Sequence, residues 1–151
     1  MQKLKFVTIL FSLIFISITH AQSNGIGVGL IVGEPTGISG KYWTGSTTAF
    51  DAGLAWSFID ENAFQIHADY IFHNMRLITI PDGKLPFYYG IGARLKTATK
   101  IQLGVRVPLG LAYLFQNAPI DIFIEVVPIL DLIPKTDFQI SVALGARYFF
   151  N

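Results

Sequence analysis

His67, Asp69 and His73 fall at two- and four-residue spacings within one stretch. If that stretch is extended, side chains two residues apart lie about 6–7 Å from each other on one face. A metal ion or a general base is conceivable at that distance. Two histidines and no cysteine make a thin ligand set, however. Hydrogen bonds to other interior groups are the favoured role of His67 and His73. A larger constellation consists of Lys41, Arg94, Lys96, Arg106 and Arg147 set against Asp51, Asp69, Asp121, Glu125 and Asp131. Charges of both signs gathered on one face either neutralise one another as ion pairs or line a path for protons and small solutes. A lipid-modifying enzyme would need a serine, a histidine and an acid brought together. Gly25-Ile-Gly-Val-Gly29 and Gly90-Ile-Gly92 suggest phosphate loops, but neither completes the dinucleotide fingerprint or opens a helix. No catalytic residue, cofactor or metal is therefore expected.

The elements that carry these residues follow from the chain's ends and its period. Met1-Gln-Lys-Leu-Lys5 is basic, Phe6 to Ile18 is apolar, and Thr19-His20-Ala21 ends in a small residue. That arrangement describes a cleaved secretory signal over 1–21, too short to span a bilayer, followed by one domain over 22–151. Without Lys3 and Lys5 the mature chain has nine basic residues against ten acidic ones. Such a balance leaves no basic surplus for nucleic acid. The absence of cysteine excludes a disulfide framework. More than half the chain is hydrophobic, yet no mature segment offers the 18 apolar residues of a membrane helix.

The apolar residues instead alternate. From Ile101 to Phe115 every odd position is large and apolar, while the even ones read Gln102, Gly104, Arg106, Pro108, Gly110, Ala112 and Leu114. A two-residue period becomes two faces only in a strand. The same pattern recurs over 25–33, 38–44, 48–58, 64–75, 87–96, 119–130 and 139–150, separated by turn residues such as Asp60-Glu61-Asn62 and Pro81-Asp82-Gly83. Eight strands with short links predict an all-β, antiparallel, up-and-down barrel. An even count closes the sheet, so that no edge is left in lipid. Pro108 and Pro128 fall mid-strand on neighbouring strands, where each removes a ladder donor, and bulges are expected there.

Alternation does not say which face is outside. All ten charges within strands lie on one face, otherwise rich in Gly, Ala and Ser, which suits the narrow interior of eight strands. Aromatics gather near strand ends on the other face: Tyr42, Phe58, Phe64, Phe72, Phe87, Tyr113, Phe115, Tyr148 and Phe150. Interfacial girdles have that distribution. The expected arrangement is lipid outside and an interior filled by Lys41, Asp51, Asp69, Arg94, Arg106, Asp121, Glu125 and Arg147. With both termini periplasmic, Asp121 and Arg147 share a depth near that rim. The outer links 34–36, 59–62, 97–100 and 132–137 are short, which weakens an adhesin role.

Gly33-Glu-Pro-Thr-Gly37, Pro86-Phe-Tyr-Tyr-Gly-Ile-Gly92 and Arg106-Val-Pro-Leu-Gly-Leu111 resemble segments of short outer-membrane proteins of uncertain function. The chain resembles the small barrel superfamily that includes OmpX and the transmembrane part of OmpA. Gly145-Ala-Arg-Tyr148-Phe-Phe150 is similar to the signal read by the outer-membrane assembly machinery, although Ala143 and Asn151 depart from it. The resemblance implies a monomer in a Gram-negative outer membrane, with lipid and that machinery as partners. The ion-paired interior and the short outer links point to a structural or weak ligand-contact role without enzymatic activity; the alternatives are a narrow channel or transporter for protons or very small solutes, or a lipid-modifying enzyme.

Overall fold

A computed structural model describes residues 24–34, 36–57 and 63–150. The expected signal at 1–21, the girdle position Phe58, the turn at Asp60-Glu61-Asn62 and the terminal Asn151 lie outside the described residues. The described residues form nine antiparallel strands: β1 (Ile26–Gly33), β2 (Thr36–Trp43), β3 (Thr48–Ser57), β4 (Ala63–Asn74), β5 (Phe87–Thr97), β6 (Ile101–Arg106), β7 (Leu109–Leu114), β8 (Ile120–Ile133) and β9 (Asp137–Phe150). β6 and β7 share one place between β5 and β8, and β4 pairs with β5, so the sheet closes as a ring of eight. The all-β barrel read from the period is the fold observed.

Closure carries a stagger. Following direct partners from Gly29 through Ser39, Gly53, His67, Arg94, Gly104 and Asp131 arrives on β9 at Asp137. The direct β9 partner of Gly29 is Arg147, ten residues away. Ten residues of stagger over eight strands tilt the strands by about 40° to the barrel axis, within the usual range for barrels.

The expected bulges at Pro108 and Pro128 do not form. The strand read as continuous over 101–115 is interrupted at Val107-Pro108, but its register is the same on both sides. Arg106 faces Ile129 and Leu109 faces Val126, while Gly92 faces Arg106 and Tyr89 faces Leu109. The Val107 N–H still donates to the Pro128 carbonyl, and the Gly90 N–H to the Pro108 carbonyl. Each proline lacks the N–H that would return the bond. Two missing donors on neighbouring strands thin the ladder without inserting a residue. The irregularity lies elsewhere, between Leu103 and Gly104 opposite Ile133 and Asp131. Strand ends also run further than the pattern suggested, with Thr36, Ile133 and Asp137 all inside strands.

The two faces follow the alternation. Outward side chains such as Leu30, Ile91, Phe138 and Ile140 are exposed. The outward face carries no charged side chain among the described residues, because every Lys, Arg, Asp and Glu there points inward or sits in a link or at a strand end. The aromatics are unevenly shared. Tyr42, Phe72, Phe87, Tyr113, Phe115, Tyr148 and Phe150 lie at the end that holds Gly25 and Phe150, with Phe64 and Trp56 towards the other.

Candidate functional site: the barrel interior

Four inward glycines explain how large rings fit a narrow lumen. Gly27 faces Phe149, Gly53 faces His67, Gly110 faces Tyr88 and Gly145 faces Phe123, each as a direct cross-strand partner. A Cβ at any of them would collide with the facing ring. The interior is therefore bulkier than a face of Gly, Ala and Ser suggests. Trp43, Ile71, Tyr88, Phe123 and Phe149 are all buried, and Met75 packs against their cluster.

At the end that holds Gly25 and Phe150, Trp43, Ala49, Ile71, Ala112, Leu114 and Phe149 form an apolar layer across the bore. The link after β4 folds back onto it. Lys84 and Leu114 exchange backbone hydrogen bonds, and the Tyr113 hydroxyl donates to the Asp82 carbonyl at 2.7 Å.

Polar side chains fill the bore next to this layer in three tiers. In the first, Arg147 donates through Nε and Nη2 to the two oxygens of Asp121 at 3.0 and 3.1 Å, and through Nη1 to Asp51 at 2.9 Å. Its guanidinium lies 4.1 Å from the centre of the Phe123 ring. Lys41 Nζ lies 3.8 Å from Asp121, 2.8 Å from His73 Nε2 and 4.2 Å from the centre of the Trp43 ring. The Nδ1–H of His73 donates to the Thr47 carbonyl at 3.0 Å, which leaves Nε2 as the acceptor for Lys41.

The second tier sets one guanidinium against two carboxylates. Arg106 Nε lies 2.9 Å from Asp69, and Nη2 lies 3.6 Å from Glu125. The Arg106 N–H is not aimed at the Asp69 oxygen, so this is a charge contact without a formed hydrogen bond. Tyr88 supplies the donor Glu125 still needs, at 2.9 Å. In the third tier Arg94 forks onto both oxygens of Asp131 at 3.2 and 2.7 Å and also donates to Gln65 and Gln139. Lys96 is buried at this level.

All eight charged residues singled out from the sequence, together with Lys96 and Asp131, are buried in the bore. Asp121 and Arg147 are direct partners on β8 and β9, at one depth as the topology required. Glu125 is engaged with Arg106 and Tyr88. His67, Asp69 and His73 share a face but not a site: His67 packs over Gly53, Asp69 meets Arg106, and His73 meets Lys41. Among the described residues no group of three or more His, Cys, Asp or Glu could hold a metal ion. Sequence reasoning passed over Gln65 and Gln139 as partners of Arg94, and Tyr88 as partner of Glu125. Their inward parity next to charged positions was the available signal.

Taking an ion from water into a protein interior costs several kcal/mol even after relaxation, and geometry and hydrogen bonds must return that cost. The forked pairs of Arg147 and Arg94 have that geometry. Most of the interior charges are thus engaged with one another, while Ser39 Oγ, Trp43 Nε1, His67 Nδ1, Gln65 Nε2 and Gln102 Oε1 are buried without a hydrogen-bond partner.

No protein-family model matches the chain, and no curated protein matches it. Among solved structures it is similar to the crystal structure of the N-terminal β-barrel domain of OprF from Pseudomonas aeruginosa. The TM-score is 0.68 at 14% identity, over 84% of this chain and 98% of that one. The likeness is one of fold: a closed β-barrel.

Proposed function

We propose that the chain is an integral barrel of a Gram-negative outer membrane, non-enzymatic, its bore closed by ion pairs. Its role is structural or one of ligand contact. The observation that carries this reading is the inverted polarity of the barrel: ten charged side chains are buried inside, while large apolar side chains cover the outside. In water that exterior would be an apolar patch far beyond what soluble monomers tolerate. In a bilayer it is the stable choice, and the eight wall positions, with β6 and β7 taken together over 101–114, run 8–14 residues and bracket the roughly 9–11 that a tilted strand needs to cross. Lipid and, during assembly, the machinery that reads Gly145–Phe150 are the partners. Ring closure leaves each barrel complete as a monomer.

The apolar layer at one mouth and the paired tiers next to it favour a plug over a channel. An enzymatic role finds no support in the interior, where His67 and His73 face other lumen groups. The full-length protein should fractionate with outer membranes and migrate faster on gels before boiling than after. In planar bilayers it should show no stepwise conductance, and steady single-channel openings would refute the plug.

A further inference from the structure

The rim opposite Gly25 and Phe150 is uneven. β9 pairs with β8 from Asp137 onward but with β1 only from Ala143. One more bond, from the Glu34 N–H to the Val142 carbonyl, ends that seam. Among the described residues no strand pairs with the β1-side edge of β9 over 137–141. Groups two residues apart on a strand point the same way, so the N–H and C=O of Ile140 and Phe138 face the gap as those of Val142 do. The stagger explains the step. Each strand passed around the ring from β1 climbs by ten eighths of a residue, so β6, β8 and β9 end beyond the tip of the β1–β2 hairpin. At that tilt and rise the wall over β1 and β2 is lower by about 10 Å.

The third polar tier stands behind this notch. Arg94 spans it from Gln65 on β4 to Gln139 on β9. Gln65 Nε2 and Gln102 Oε1 are buried there without a hydrogen-bond partner. Outside, Leu130, Leu132, Phe138 and Ile140 keep the wall apolar to the same height. An open strand edge and unmatched amides are both unfavourable beside hydrocarbon.

We propose that this notch is a lateral site for an acyl-chain amphiphile with an oxygen-rich, hydrogen-bond-accepting head. The chain lies along Phe138, Ile140 and Val32. The head takes hydrogen bonds from the β9 edge and the Gln65 amide. The assignment rests on the membrane placement proposed above and gives its ligand a chemical class.

The absence of cysteine allows a direct test. Full-length Ser141→Cys, Ile101→Cys and Ala112→Cys proteins are folded into phosphatidylcholine vesicles containing a maleimide-headed phospholipid. Ser141 is inward beside the gap, Ile101 is outward at a strand end, and Ala112 is inward behind an unbroken wall. The Ser141→Cys and Ile101→Cys proteins should be labelled and the Ala112→Cys protein should not. Dodecyl phosphate should slow labelling at Ser141→Cys by about tenfold, and inorganic phosphate should leave it unchanged. Gln139→Cys, on the same face, replaces Ser141→Cys if that variant does not fold. Labelling at Ile101→Cys without labelling at Ser141→Cys overturns the notch. Equal competition by inorganic phosphate reduces it to an anion site and overturns the amphiphile. No labelling at Ile101→Cys overturns the membrane placement itself.

Discussion

Replacing Arg147 by alanine should destabilise the barrel by about 3–5 kcal/mol, because it strands two buried carboxylates. Asp121 is fully buried and takes both of its side-chain hydrogen bonds to Arg147 from that one guanidinium; Asp51 takes a third from it. Lys41 stays within 3.8 Å of Asp121, but it is already engaged with His73 and cannot reproduce a fork. Phe123, which packs against the guanidinium, would border a void as well. Urea unfolding of the vesicle-folded protein, followed by gel mobility, measures the loss. Removing the stranded charge together with its partner, as Arg147→Met with Asp121→Asn, should restore part of it, with a coupling of about 0.5–3 kcal/mol. A loss below about 1 kcal/mol in the single variant is the behaviour of a solvated pair and would mean that water fills the bore.

The second large effect concerns the other face. Val126 points outward near the middle of β8 and is 42% exposed. A lipid-facing arginine at the bilayer midplane costs about 2–4 kcal/mol, whereas the same change near an interface costs about 0–1 kcal/mol. Val126→Arg should therefore weaken folding into vesicles far more than Thr97→Arg, at a strand end. On a water-facing sheet a substitution at an exposed position stays within about 0.5 kcal/mol. Equal, small effects at both positions would place Val126 in water.

Both outcomes depend on features that were unequally legible in the sequence. The faces could be read residue by residue, because a two-residue period survives any tertiary context in which one side is apolar. Ile38 and Tyr42 point outward and Ser39 and Lys41 inward, as the alternation over 38–44 requires. The pairing could not be read. Which inward groups meet depends on a stagger of ten residues that only ring closure sets, so Arg94 reaches Asp131 across the β6 position. Gln65 and Gln139 carry no charge to mark them as members of that tier, and Tyr88 reads as one more inward aromatic. Pro108 and Pro128 misled for a related reason. A proline removes a donor whatever its surroundings, but a bulge also needs an extra residue, and the partners of both prolines are in step. The notch is likewise a product of strand ends and stagger together, and neither appears as a pattern in one segment.

The two tryptophans report separately on whether lipid lies outside the barrel and protein fills the inside. Trp56 is half exposed on the outward face, and Trp43 is 4% exposed within the bore. In vesicles of phosphatidylcholine brominated along its acyl chains, the Trp43→Phe protein, which retains Trp56, should lose most of its tryptophan fluorescence. The Trp56→Phe protein, which retains Trp43, should keep its own. Quenching of Trp56 by aqueous iodide and not by brominated lipid would contradict the account.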